Sequence, residues 1–90
     1  MRCTVWRSTR RTLTYLYLAE HCAFDDLPAD LRNTFGEPRH VMDLELSPER
    51  RLAREDARRV MANLAERGWH LQLPPDTDIE EIIARGLARP

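Results

Sequence analysis

Ninety residues, 42% of them hydrophobic and 32% charged, with a net charge of −1, fit one small globular domain and exclude two. The apolar fraction is too high for a disordered chain. No apolar run approaches the roughly 20 residues of a membrane-spanning helix, and Met1–Arg7 contains no hydrophobic segment of signal-peptide length. A soluble, cytoplasmic protein with no membrane partner is therefore expected. All fourteen basic residues are arginine. The guanidinium fork suits carboxylates and phosphates, but a GC-rich genome is the favoured source of the bias, and a strong nucleic-acid binder is usually basic overall. The charge is uneven. Residues 1–11 carry Arg2, Arg7, Arg10 and Arg11 with no acid, whereas 76–81 carry Asp76, Asp78, Glu80 and Glu81 with no base.

Residues 2–7 and 12–18, rich in Thr, Val, Trp, Tyr and Leu, read as two strands joined by the polar Ser8-Thr9-Arg10-Arg11. A β-hairpin is the natural connection, although its turn lacks Asn-Gly or Asp-Gly and leaves the register open. Cys22 should lie on the order of 10 Å from Cys3 along such a hairpin, at ~3.3 Å per residue, too far for a disulfide. Free thiols and a reducing compartment follow.

A short helix should come next. Asp25 or Asp26 can cap it, Pro28 suits its first turn, and Leu27, Leu31 and Phe35 recur at four-residue spacing. Gly36 fits the position after the last turn, and Pro38 prevents continuation. Val41–Leu46 predicts a third strand, with Val41, Leu44 and Leu46 as apolar candidates and Asp43 and Glu45 outward. A helix over 53–67 follows, its stripe formed by Ala57, Val60, Met61 and Leu64. Arg51 with Glu55, and Glu55 with Arg59, can pair along its solvent face. Gly68 ends it, and Trp69–Leu73 makes a fourth strand, closed by Pro74-Pro75. Ile79, Ile82, Ile83 and Leu87 predict a C-terminal helix over 76–90. The expected class is α+β, in the order ββαβαβα, as one domain over residues 1–90.

Several segments together resemble the YcgL domain of gammaproteobacteria. They are Val5-Trp6-Arg7-Ser8, Thr14-Tyr15-Leu16-Tyr17, Phe35-Gly36-Glu37-Pro38, and Arg67-Gly68-Trp69-His70-Leu71-Gln72-Leu73-Pro74-Pro75. The resemblance runs over about residues 3–75. It implies a cytoplasmic bacterial protein with a four-stranded sheet in a three-layer α/β/α sandwich. Members often have Tyr where this chain has Trp6 and Trp69, which keeps an aromatic ring and removes a phenol. The resemblance supplies no catalytic residue or cofactor. In some bacteria the family's gene lies beside that of ribonuclease D, which implies an accessory role in RNA processing.

Chemistry-bearing residues are scattered. Ser8, Cys3, Cys22, His21, His40 and His70 could supply a nucleophile or base, but no spacing assembles them into a set. His70 is expected to be a partly exposed sheet residue. His21-Cys22 lacks the four-ligand spacing of a zinc site, and the acids at 76–81 read as a solvated first turn of a helix. No phosphate-binding loop occurs. The expectation is a non-enzymatic module without metal or cofactor. Two binding readings compete. In one, the basic tip Arg7, Ser8, Arg10 and Arg11, with the adjacent Phe35, Gly36 and Pro38, grips a protein partner, with ribonuclease D suggested by the family association. In the other, the hairpin binds single-stranded RNA. If Ser8 faced Arg11, Trp6, Tyr15 and Tyr17 would share one face beside arginine, while Cys3 and Val5 would join Leu16 and Leu18 on the other. The competing reading places the tyrosines in a core, with one polar tip each.

Overall fold

A computed structural model describes residues 1–52 and 55–74. Four antiparallel strands, β1 (Arg2–Arg7), β2 (Tyr15–Ala19), β3 (Arg39–Glu45) and β4 (Trp69–Gln72), form one sheet in the order β3-β1-β2-β4. Helix α1 (Ala29–Phe35) lies between β2 and β3, and α2 (Ala57–Arg67) between β3 and β4. The expected C-terminal helix over 76–90 lies outside the described residues.

Side chains alternate across a strand, so the sheet sorts its apolar residues into two clusters. Cys3, Val5, Tyr17, Ala19 and Leu44 meet Val60 and Leu64 of α2. Leu16 and Leu18 meet Leu27, Leu31 and Phe35 of the α1 segment. Leu16, Val60 and Leu64 are fully buried, and burial of each such side chain contributes about 1.5–3 kcal/mol. The four-residue spacing of Leu27, Leu31 and Phe35 therefore has the expected meaning. Pro28 stands at the N-cap of α1, while Asp25 and Asp26 sit in a preceding 3-10 turn. Helix α2 begins at Ala57, later than expected, because the Asp56 carboxylate accepts from the Arg58 amide and caps it there. Gly68 ends it in the left-handed conformation.

The hairpin differs from expectation. Cys3 pairs with Ala19, Val5 with Tyr17 and Arg7 with Tyr15. These partners lie three positions beyond those of a turn in which Ser8 faces Arg11. An odd shift turns every side chain to the opposite face. Trp6 consequently joins Leu16 and Leu18, while Tyr15 and Tyr17 join Cys3 and Val5. The physical reason is a longer loop. Ser8 N donates to Thr14 O at 2.9 Å, so residues 9–13 bulge out before β2 starts at Tyr15. In the third strand, the β1–β3 register slips between Val5 and Trp6, matching Val5 to Met42 and Trp6 to His40. Val41 is left out of the ladder and is 45% exposed, against its expected place in the core.

Both cysteines are free thiols. Burial raises Cys3 from 9.0 to about 11, and raises Tyr17 from 10.0 to about 12. A folded-state value above the unfolded one favours the protonated group in the native fold. The stabilisation is complete below pH 9 and is lost as pH rises through the window from 9 to 12. Thermal melts are expected to show Tm unchanged between pH 7 and 8.5 and lower by at least roughly 5 °C at pH 11. Cys3→Ala should flatten the first part of that decline.

Candidate functional site

The loop between β1 and β2 is built around one hydroxyl. Ser8 is buried, and its Oγ donates to Phe35 O at 2.6 Å while accepting from the Arg10 and Arg11 amides at 3.1 and 2.9 Å. A serine that folds the following backbone onto its own side chain makes a turn without the usual glycine. Thr9 Oγ1 then donates to Glu37 O at 2.9 Å. Gly36 is required at the junction. A Cβ there would lie 2.5 Å from Arg10 Cγ and 2.8 Å from Thr9 Oγ1, and its φ of +79° disfavours a side chain. Ser8, Arg10, Phe35 and Gly36, far apart in sequence, are thus brought into contact, with Pro38 half-buried beside them.

This assembly presents guanidiniums on both sides of the loop. An open cleft of about 700 Å³ is bordered by Arg7, Arg10, Arg11, Leu13, Tyr15 and Arg39. A second, of about 690 Å³, is bordered by Arg10, Arg11, Asn33, Thr34 and Pro74. Among the described residues, none of these four arginines forms an ion pair. Arg7 stands directly opposite Arg39 across the β1–β3 ladder. Like charges facing each other on adjacent strands are destabilising, and an anion between them removes the cost. Arg39 was not visible as a site residue in sequence, since only the strand register places it beside Arg7. Its one local signal is that it follows the Phe35–Pro38 turn.

The aromatics do not form a common platform. Tyr17 is buried under α2 and donates to Gln72 Oε1 at 2.8 Å, as a core tyrosine with one polar tip. Trp6 packs on the opposite face, its indole N–H donating to Thr4 Oγ1 at 2.8 Å. Tyr15 alone borders the arginine cleft.

A family model described as the YcgL domain matches residues 3–75. The chain belongs to the YcgL domain family. A YcgL domain-containing protein of Azotobacter vinelandii is 49% identical over 73 residues, covering 81% of this chain and 75% of that protein. One from Thioalkalivibrio sulfidiphilus is 46% identical over 78 residues, covering 87% and 96%. One from Pseudomonas aeruginosa is 47% identical over 73 residues, covering 81% and 75%.

Away from the arginine loop, several polar side chains of this YcgL domain contact one another, although the buried His70 Nε2 makes no hydrogen bond among the described residues. His70 is buried rather than half-exposed, with Nδ1 2.9 Å from Asn63 Nδ2 and Nε2 3.2 Å from Glu55 Oε1. Its ring meets Tyr17 edge-on at 5.7 Å. Glu55, expected to pair with Arg51 and Arg59 on the solvent side, instead turns inward, because α2 starts after it. The group ties α2 to β4. His40 pairs with Asp43 at 2.9 Å, and Arg67 stacks on Trp69 at 4.0 Å. Burial pushes Cys3 to about 11 and also raises Cys22, with Asp26 adding to the second effect. No helix among the described residues is long and apolar enough to cross a membrane.

Proposed function

We propose that this YcgL domain is a non-enzymatic, three-layer α/β/α interaction module that grips an anionic partner protein with Arg7, Arg10, Arg11 and Arg39. The observation that carries the reading is the facing of Arg7 and Arg39 across adjacent strands, at a cleft shared with Arg10 and Arg11. Such a cluster stores a repulsion that a bound carboxylate or phosphate relieves. A binding role rather than a catalytic one is supported by Ser8. Its hydroxyl spends its proton on Phe35 O and its lone pairs on two amides, leaving nothing to activate for attack. The family's association with ribonuclease D suggests a ribonuclease as the partner, in an accessory role in RNA processing. The free thiols suit a cytoplasmic setting.

Direct binding of single-stranded RNA is the second reading, supported by the same guanidiniums. It loses the stacking face, because the hairpin register separates Trp6 from Tyr15 and Tyr17.

The test is the Arg7→Ala, Arg10→Ala, Arg11→Ala triple variant in pull-downs from the native cell at two salt concentrations. A specific protein retained by the wild type at low salt is expected to be lost by at least roughly tenfold in the variant and at high salt. Equal recovery by both proteins would remove the arginine loop from the account.

A further inference from the structure

Leu13 is held in a backbone conformation that leucine rarely adopts. It is the one residue other than glycine among those described with a positive φ, 55°, and its side chain is 48% exposed. The left-handed turn that returns the chain to β2 is normally taken by Gly, Asn or Asp, because a Cβ there crowds the following carbonyl. Leucine offers no local hydrogen bond in compensation. It also leaves aliphatic surface in water at the rim of the arginine cleft, where it lies with Arg7, Arg10, Arg11 and Arg39. Backbone strain of this kind clusters at binding and switch sites, and here it coincides with an exposed apolar side chain.

We infer that Leu13 is the apolar anchor of the interface, packing against apolar side chains of a partner protein segment that is flanked by carboxylates. The inference rests on the reading of this end as the binding surface and specifies the partner's chemistry. Apolar contact combined with arginine is the composition favoured at protein–protein interfaces, and Leu13 and the four arginines line the same cleft. A nucleic acid would use the guanidiniums and a flat face for stacking, and a branched aliphatic tip supplies no such face.

The experiment uses the full chain with three fluorescent probes: an oligo-aspartate peptide carrying Leu-Phe at its centre, an oligo-aspartate of equal charge, and an oligouridylate. Leu13→Asn suits the backbone, so it should fold and melt a few degrees higher than the wild type. The wild type should bind the Leu-Phe peptide at least ~10-fold tighter than the plain one. Leu13→Asn should erase that preference, Leu13→Met should keep it, and Arg10→Ala with Arg11→Ala should weaken both peptides. Equal binding of the two peptides, or a preference that survives Leu13→Asn, overturns the anchor and leaves the basic surface standing. Tighter binding of the oligouridylate, indifferent to Leu13→Asn, also overturns it and assigns the surface to nucleic acid. If the wild type binds none of the three, the reading of the basic end as a binding surface fails as well.

Discussion

Phe35→Ala is expected to destabilise the domain by about 3–5 kcal/mol, the range for emptying a buried aromatic site. Phe35 is 1% exposed, closes the cluster of Leu16, Leu18, Leu27 and Leu31, and lies 6.1 Å from the ring of Phe24. Its carbonyl also accepts the Ser8 hydroxyl, so loss of the ring loosens the anchor of the arginine loop. A domain of this size has only about 5–13 kcal/mol of stability, and the variant should sit near the edge of folding. Urea titration followed by circular dichroism should show the midpoint falling by roughly 2–4 M. Phe35→Leu, which keeps most of the volume, should fall by less than half as much. A loss below about 1.5 kcal/mol for the alanine variant would mean that this side of the sheet does not depend on the α1 cluster.

Gly36→Ala is the second large effect, and it acts on the site as well as on the fold. With φ +79° and ψ −162°, Gly36 occupies a backbone region essentially reserved for glycine, where a side chain costs of order 1–3 kcal/mol. The added methyl would also collide with Arg10 Cγ at 2.5 Å and Thr9 Oγ1 at 2.8 Å. These atoms are close to the backbone, so relief requires the 8–14 loop to lift from the end of α1. A combined loss of about 3 kcal/mol is expected, with amide exchange of Arg10 and Arg11 accelerated beyond that of the sheet. If stability fell but exchange in the loop stayed in step with the sheet, the contact would be packing without a role in positioning the arginines.

The residues that could be read directly were those whose meaning is local. The spacing of Leu27, Leu31 and Phe35, and of Val60 and Leu64, announced buried helix faces because periodicity is an intrinsic property of the chain. Gly36 and Gly68 announced helix ends for the same reason. Ser8, Arg10, Phe35 and Gly36 meet through the Ser8 hydroxyl and the close approach of Arg10 to Gly36. The register was not legible, because Ser8 closes the loop through its side chain and Leu13 takes a conformation that composition assigns to glycine or asparagine. The register decides the aromatic face as well. Three positions of slip moved Tyr15 and Tyr17 away from Trp6 and dissolved the aromatic platform. Arg39 and the burial of His70 depend on cross-strand and helix–strand contacts between distant segments, which no local pattern carries.

The uneven charge behind a net −1 now has a structural location for three of its arginines: Arg7, Arg10 and Arg11 gather at the β1–β2 loop, where Arg39 of β3 joins them. The most direct test of that surface is a proton–nitrogen correlation spectrum recorded while an acidic peptide is titrated into the full chain at low salt. Shifts concentrated in residues 7–14 and 35–39, and abolished by added salt, are the predicted result. Shifts centred on α2, β4 or the outer edge of β3, or no saturable change at all, would contradict the account.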